Sequence, residues 1–384
     1  MNIALVGYLP VIIDRNSLRK LSFYLVRILL RRGHSVDVIP AFDEEPRLPR
    51  SFVKVDEREC SIIKSDRIPE NAYDAILMLL SPHYLAPSSC ASMIGDLLNK
   101  LVKSIRQRNP KAKLGLYGTF NSIKPSPPTS VNLSKYFDFL IFYNEYDAKS
   151  YEASCAEAGI PTLPHFVVTP GVDTKLYKPV PRESKTKDCN LVLSIVRNAL
   201  EKNPVAVLAA VSEAKRRGAK LRLLMLTNIC ALFPYGVLDL STASHSIGLT
   251  DVEFVEEFIE EHRMPEVYVS ADIFITLSST EGVCMPMLEA QACGLPVIAH
   301  ALPALKSVYG DSVMWVGSEG TLHLPLGPIS IPSVSEAAQR LLEAASDEGL
   351  RKEFSAKGLA NAKRYDWDEA VGPKLETALK SVAE

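Results

Sequence analysis

The chain has 384 residues, 47% of them hydrophobic and 23% charged, with a formal net charge of −2. That length suits two domains of ordinary globular composition, and the charge balance argues against a general nucleic-acid binder, whose footprint is strongly basic. No apolar run reaches the roughly 18 to 20 residues of a membrane span, and the Met1–Gly7 segment is too short, and lacks the basic leader, for an export signal. The seven cysteines are odd in number, scattered and without a C-x-x-C pair, so they read as reduced cytoplasmic thiols, not as a disulfide framework or zinc site. The near-neutral total conceals a split. Residues 1–184 carry 24 basic and 19 acidic side chains, and residues 185–384 carry 19 and 26, so the first half is compatible with an anionic acceptor or membrane surface.

In chain order, Asn2 to Gly7 is an apolar strand, Ser17 to Arg32 a helical run closed by Gly33, and Ser35 to Ile39 a second strand, together a βαβ opening. Gly7-Tyr8-Leu9-Pro10 lacks the later glycines of a dinucleotide fingerprint. Along the first helix Lys20, Tyr24, Arg27 and Arg31 stack on one face, opposite Leu18, Leu21, Leu25 and Ile28. That face reads as solvated or as a contact for an anionic membrane.

Residues 43–70 are charged and proline-punctuated, an excursion with short strands. Tyr73 to Leu80 is a buried strand ending at Ser81-Pro82-His83, and helix Ser88 to Arg108 with strands Lys113 to Gly118 and Phe137 to Phe142 continues a doubly wound pattern. Thr169 to Pro179 is a turn-rich exit, with Gly171 as the permissive backbone and Asp173 as a cap. Arg182 to Asp188 reads as a polar linker. Strand Asn190 to Val196 then opens a second domain and ends at Arg197, and Lys202 follows just before a helix begins at Asn203-Pro204. Strands Arg222 to Leu226 and Val252 to Val255 follow, with Cys230 to Ser246 too irregular to assign. Ser333 to Ala345, Asp347 to Tyr365 and a last segment to Ala383 are helical.

The most informative stretch is Ser278 to Ala299, entered from the apolar run Ala271 to Leu277. It reads as strand, loop, helix, strand, with Pro286 in the first helical turn and Gly294 at the helix end. Glu281 then lies in the loop and Glu289 in the helix, so both carboxylates can face the crevice where open α/β sheets bind ligands. The helix start adds unpaired N–H groups suited to a phosphorylated ligand.

Glu281, seven residues, then Glu289, followed by Ala-Gln-Ala-Cys-Gly-Leu-Pro-Val-Ile-Ala, resembles the E-x7-E signature of retaining GT-B glycosyltransferases of the group 1 (family 4) class. Arg197 and Lys202 resemble the R-x4-K pair of the same family, Arg31 to Ile39 its second strand, and Thr169 to Pro179 its PNGVDxxxFxP segment. The resemblance covers nearly all of the second domain and pieces of the first.

It implies an α/β GT-B fold of two Rossmann-like domains facing a cleft: residues 1–182 on the acceptor side, 189–365 for the nucleotide-sugar donor, and 366–384 a helix returning to the first domain. The implied activity is metal-independent transfer of a sugar from a nucleotide sugar to a lipid, glycan or protein acceptor, with retention of configuration and no cofactor. Glu281 would hold the sugar, Glu289 the ribose, and Arg197 and Lys202 the diphosphate, with Gly282, Val283, Cys284, Met285 and Pro286 lining the donor site and His83 on the acceptor side. The implied location is cytoplasmic, peripheral on the inner membrane face where the acceptor is lipid-linked.

Departures are visible. Leu9 to Ile13 replace the family's Gly-Gly loop, Asn121 stands where a Thr-x-His turn has histidine, and Val283-Cys284 replaces a Phe-Gly type pair, narrowing backbone approach. The missing glycine loop supports the alternative of a non-catalytic nucleotide-sugar binding or scaffold protein. Asp366-Trp367-Asp368 mimics a metal motif, but its flanks match the terminal GT-B helix. No repeat, G-x-S-x-G, H-E-x-x-H or Walker A pattern occurs.

Overall fold

A computed structural model describes residues 1–8, 17–40, 52–64, 67–80, 89–180, 189–233, 236–324 and 327–384. Leu9 to Ile13, His83 and the expected linker at 182–188 lie outside these residues. The chain divides into two compact units, one of Met1–Pro170 with Trp367–Glu384, the other Gly171–Asp366.

The first unit runs β1 (Asn2–Gly7), α1 (Ser17–Arg31), β2 (Ser35–Pro40), β3 (Phe52–Val55), β4 (Arg58–Ile62), β5 (Ala75–Leu79), α2 (Ser89–Arg108), β6 (Lys113–Gly118), α3 (Pro127–Tyr136), β7 (Phe139–Phe142), α4 (Glu145–Ala158) and β8 (His165–Val167). Its sheet has the order β3-β4-β2-β1-β5-β6-β7-β8, parallel except for the β3–β4 hairpin. Strands such as β5 are buried at every position, which is why they read as unbroken apolar runs. Phe139 lies so close over Gly115 that an added Cβ would fall 2.1 Å from its ring, so no larger residue fits there.

In the second unit the elements are β9 (Asn190–Ile195), α5 (Pro204–Arg216), β10 (Leu221–Leu226), β11 (Cys230–Phe233), β12 (Gly236–Asp239), α6 (Leu240–Ser246), β13 (Val252–Val255), α7 (Met264–Ser270), β14 (Ile273–Thr276), α8 (Met285–Ala292), β15 (Val297–His300), α9 (Pro303–Tyr309), β16 (Met314–Val316), β17 (Ser318–Leu324), β18 (Gly327–Pro332), α10 (Val334–Ser346) and α11 (Glu348–Lys363). The main sheet is parallel with order β13-β10-β9-β14-β15-β16, and two antiparallel hairpins, β11–β12 and β17–β18, stand beside it. The stretch 230–246 that looked irregular is therefore a hairpin and a short helix. The Asp239 carboxylate caps that helix by accepting from the amides of Ser241 and Thr242.

Gly171 to Lys178 belongs with the second unit, ahead of the junction expected from sequence. Val172 bridges to Asp366, its amide donates to the Tyr365 carbonyl at 2.9 Å, and the Tyr177 hydroxyl donates to Glu261 at 2.8 Å. Asp173 accepts from the amides of Lys175 and Leu176 and so closes the turn.

The chain ends with a π-helical turn, Trp367–Val371, and α12 (Gly372–Ala383), both in the first unit. Trp367, 1% exposed, stacks on Tyr24 of α1 at 5.4 Å between ring centroids, and the Arg27 guanidinium lies 4.6 Å from the Tyr24 ring centre. Arg31 pairs with Asp56 and Asp368, and Arg32 with Glu376. This corrects the expected basic face of α1. Tyr24 and Arg27 are buried and Arg31 is paired, because the returning segment covers what the helical spacing alone presented as a solvated or membrane-facing stripe.

Candidate active site

The second sheet decides where a ligand would sit. From β9 the chain moves outward through β10 to β13, then crosses to the other side of β9 and lays down β14, β15 and β16. The order reverses between β9 and β14, and in open α/β sheets the crevice outside the strand ends at such a reversal is where ligands bind. The loops leaving these two strands carry Arg197 and Lys202 on one side and Glu281 on the other.

They are joined directly. The Ser279 amide donates to the Glu201 carbonyl at 2.8 Å, and the Lys202 ammonium lies 2.7 Å from the Glu281 carboxylate and 3.4 Å from the Thr280 carbonyl. Lys202 sits in a single 3-10 turn, Leu200–Lys202, ended by Asn203 in the left-handed conformation (φ 51°) before Pro204 starts α5. Arg197 is different. Its side chain is 69% exposed and reaches back to Glu201 at 2.6 Å, so in this state it faces its own loop.

Glu289 lies in α8, 4% exposed, and accepts from the Tyr268 hydroxyl at 2.7 Å. Tyr268 is fully buried, which pushes its phenol well above the ordinary value; the adjacent Glu289 carboxylate adds to this, so the group stays a hydrogen-bond donor. It fixes one carboxylate oxygen of Glu289. Gln291, also buried, donates to Ser312 and accepts from Asn361, tying α8 to α11.

Gly282 and Val283 are buried, whereas Met285 and Pro286 are half-buried in the first turn of α8. Cys284 precedes the helix at φ 58°, ψ 73°, a left-handed conformation that costs a non-glycine residue about 1 kcal/mol or more. The Tyr309 hydroxyl holds this bend through the carbonyls of Val283 and Cys284, at 2.9 and 3.1 Å. Burial, with Glu281 next in weight, pushes the Cys284 thiol well up, which favours its neutral form.

Three supporting residues escaped the sequence reading. His300, at the end of β15, is 1% exposed; its Nδ1–H donates to the Ser278 carbonyl at 2.8 Å, and its Nε2 accepts from Ser318 and Ser330. Burial lowers its pKa, keeping it neutral as a brace for the loop that carries Glu281. Asn198 braces the other loop, donating to the carbonyls of Ile229 and Leu238 while its amide donates to Asn228. Tyr268 is the third. The one legible hint was a polar residue ending an apolar strand, as His300 does.

Among the described residues no three His, Cys, Asp or Glu side chains converge as a metal site. The two carboxylates of Asp366-Trp367-Asp368 are separately engaged, Asp366 by the Thr174 amide and Asp368 by Arg31. No helix among the described residues is long and apolar enough to cross a membrane.

Residues 180–359 match the family described as glycosyl transferases group 1. A D-inositol 3-phosphate glycosyltransferase of Xylanimonas cellulosilytica is 30% identical over 222 residues, 55% of this chain and 50% of the relative, so the chain spans about half the length of the curated relative it matches. Among solved structures, an α,α-trehalose 6-phosphate synthase from Burkholderia multivorans aligns at TM-score 0.69 with 12% identity, over 99% of this chain and 98% of that one. The Anabaena HepE protein in complex with UDP and glucose aligns at 0.66 with 13% identity, over 99% and 100%. The architecture is GT-B, two Rossmann-like domains. Residues 180–359 form a glycosyl transferases group 1 domain within it.

Proposed function

We propose that this chain transfers a sugar from a nucleoside-diphosphate sugar to an acceptor hydroxyl with retention of anomeric configuration. The observation that carries the reading is the convergence of Lys202 and Glu281, 79 residues apart, at the reversal point of a sheet whose domain matches the group 1 family. In the transfer, the bond from the anomeric carbon to the phosphate oxygen breaks with its electron pair leaving on the diphosphate, and the acceptor oxygen bonds to the anomeric carbon from the same side as its proton passes to the departing phosphate oxygen. The departing diphosphate gathers negative charge, which Arg197 and Lys202 stabilise as fixed cations without a metal. Glu281 receives sugar hydroxyls, because a carboxylate accepts two O–H donors at once. Glu289, held by Tyr268, receives the ribose. That Anabaena HepE was solved with UDP and glucose supports a nucleotide-sugar donor.

Incubation with a panel of radiolabelled nucleotide sugars tests the reading. Turnover is expected for one or two donors, including slow hydrolysis without acceptor. Tight donor binding with no turnover under any condition would instead identify a non-catalytic nucleotide-sugar binding protein.

A further inference from the structure

The two loops that carry the proposed donor-site residues are each held by a buried polar side chain that reaches a hairpin. Asn198 directly follows Arg197 beyond the end of β9 and is 4% exposed. Its Nδ2 donates to the carbonyls of Ile229 and Leu238, both at 3.0 Å, one at the entry to β11 and the other within β12. Two carbonyls against one nitrogen fix which end of the amide faces them, because the amide oxygen cannot donate. His300 does the same for the loop leaving β14. It ends β15, the strand paired with β14, and is 1% exposed. The Ser278 carbonyl at 2.8 Å can only accept, so Nδ1 carries the proton there, while Nε2 lies 3.0 Å from Ser318 of β17 and 3.2 Å from Ser330 of β18. Buried polar side chains bonded to more than one element rigidify what they join.

We infer that Asn198 and His300 are positioning residues for the transfer, through which the β11–β12 hairpin sets the phosphate-side loop and the β17–β18 hairpin the sugar-side loop. The inference rests on the glycosyl-transfer reading above. Asn198 adjoins Arg197 and stands four residues before Lys202, so its bonds decide where the two cations of the diphosphate stand. His300 holds Ser278, three residues before Glu281, and so decides where the acid assigned to the sugar stands. The two loops meet beyond both braces, at the Ser279 to Glu201 main-chain bond and the Lys202–Glu281 pair, so a fault in one brace is damped before it reaches the other loop. Neither residue touches the ligand in this assignment. A misplacement of about 1 Å in the groups they hold is enough to act on the reaction.

The test separates binding of the product nucleotide from turnover. The probe is the nucleotide sugar that the unaltered protein turns over fastest in a radiolabelled panel of UDP-, GDP- and ADP-sugars, with the nucleoside diphosphate of that donor for calorimetry. His300→Leu should lower turnover about 10- to 100-fold and change diphosphate affinity less than about threefold. His300→Asn, whose side-chain amide can still donate toward Ser278, should recover most of that loss. Asn198→Ala should instead weaken diphosphate binding about tenfold or more, and lower turnover with it. A merely structural role would shift the melting temperature and leave the two variants with the same ratio of diphosphate affinity to turnover. Where circular dichroism shows a core variant to be poorly folded, the outer partners serve in its place. These are Ser318→Ala with Ser330→Ala for His300, and Asn228→Ala for Asn198, whose amide donates to Asn228 at 3.1 Å; the same division is expected at smaller size. Equal losses of diphosphate affinity and turnover in both variants, or full turnover in His300→Leu, overturn the inference and leave the transfer reading standing. No turnover of any nucleotide sugar by the unaltered protein would bring down both together.

Discussion

Both units place charged side chains around buried carboxylates, yet the charges are handled in opposite ways. In the first unit they are closed off. Asp147 is fully buried after β7, its one oxygen accepting from the Thr119 hydroxyl at 2.6 Å, the Phe120 amide and the Asn144 side chain, while Arg31 and Arg32 are claimed by Asp368 and Glu376 of the returning segment. In the second unit, the acid and base at the strand ends, Glu281 and Lys202, come from two different loops and hold each other. A charge whose partners all belong to the local fold is structural. A pair spanning two loops at a sheet's reversal point stands where open α/β sheets bind ligands.

The largest effect that would break this contrast concerns Trp367. Replacing it by Ala removes a side chain that is 1% exposed and its stacking on Tyr24, and should cost about 3–5 kcal/mol by denaturant unfolding of the full chain. A loss under about 1 kcal/mol would show that the returning segment does not close the α1 face. Next comes the proposed donor site. Arg197→Ala, at a side chain 69% exposed, should lower turnover about 100-fold or more with little change in melting temperature, and Lys202→Met should lower turnover as much but also reduce stability, because it removes the cation paired with the enclosed Glu281. Both should weaken nucleoside diphosphate binding far more than nucleoside binding; equal losses for the two ligands would remove these cations from the phosphate.

Asp147 sharpens the other side. Burial pushes its carboxyl up to about 6, against the lowering by Thr119, Phe120 and Asn144. The folded chain therefore keeps this proton longer than the unfolded chain, so the associated stability is complete below about pH 4 and is lost as pH rises through 6. Asp147→Asn retains an acceptor for the same donors without the charge and should raise stability at pH 7 by up to about 3 kcal/mol, while leaving that at pH 4 nearly unchanged. A variant equally affected at both pH values would show that the carboxylate is not held against a burial cost. The smallest effect is Arg31→Ala. Its guanidinium is 38% exposed, so stability should fall by about 1 kcal/mol or less, and sedimentation with anionic vesicles should not change. A salt-sensitive loss of vesicle binding would restore α1 as a membrane face.

Much of the strand framework was legible because parallel strands buried on both faces announce themselves as apolar runs, as in β1 and β6. Helices α3 and α4 were not. Their facing sides are built from small and polar residues, with Ser130 donating to Ser154 across the contact at 2.8 Å, so no apolar stripe marks them. The cap of α4, where Asn144 accepts from the Asp147 amide, and Gly159 at φ 65° were the available signals. Helix α1 failed in the opposite sense. Its spacing was read correctly, but spacing says which residues share a face and not what covers it.

What the sequence determined by itself is local: the strand, loop and helix around Glu281 and Glu289, whose order follows from an apolar run, a turn, a proline in the first helical turn and a glycine at its end. The partners of those acids were decided by the tertiary structure. Lys202 reaches Glu281 across 79 residues and Tyr268 reaches Glu289 across 21, because parallel strands join only through crossovers that bring distant strand ends side by side. The cover of α1 by Trp367 is the longest such decision. No period in the sequence encodes it, since packing free energy depends on which surfaces meet and not on their separation along the chain.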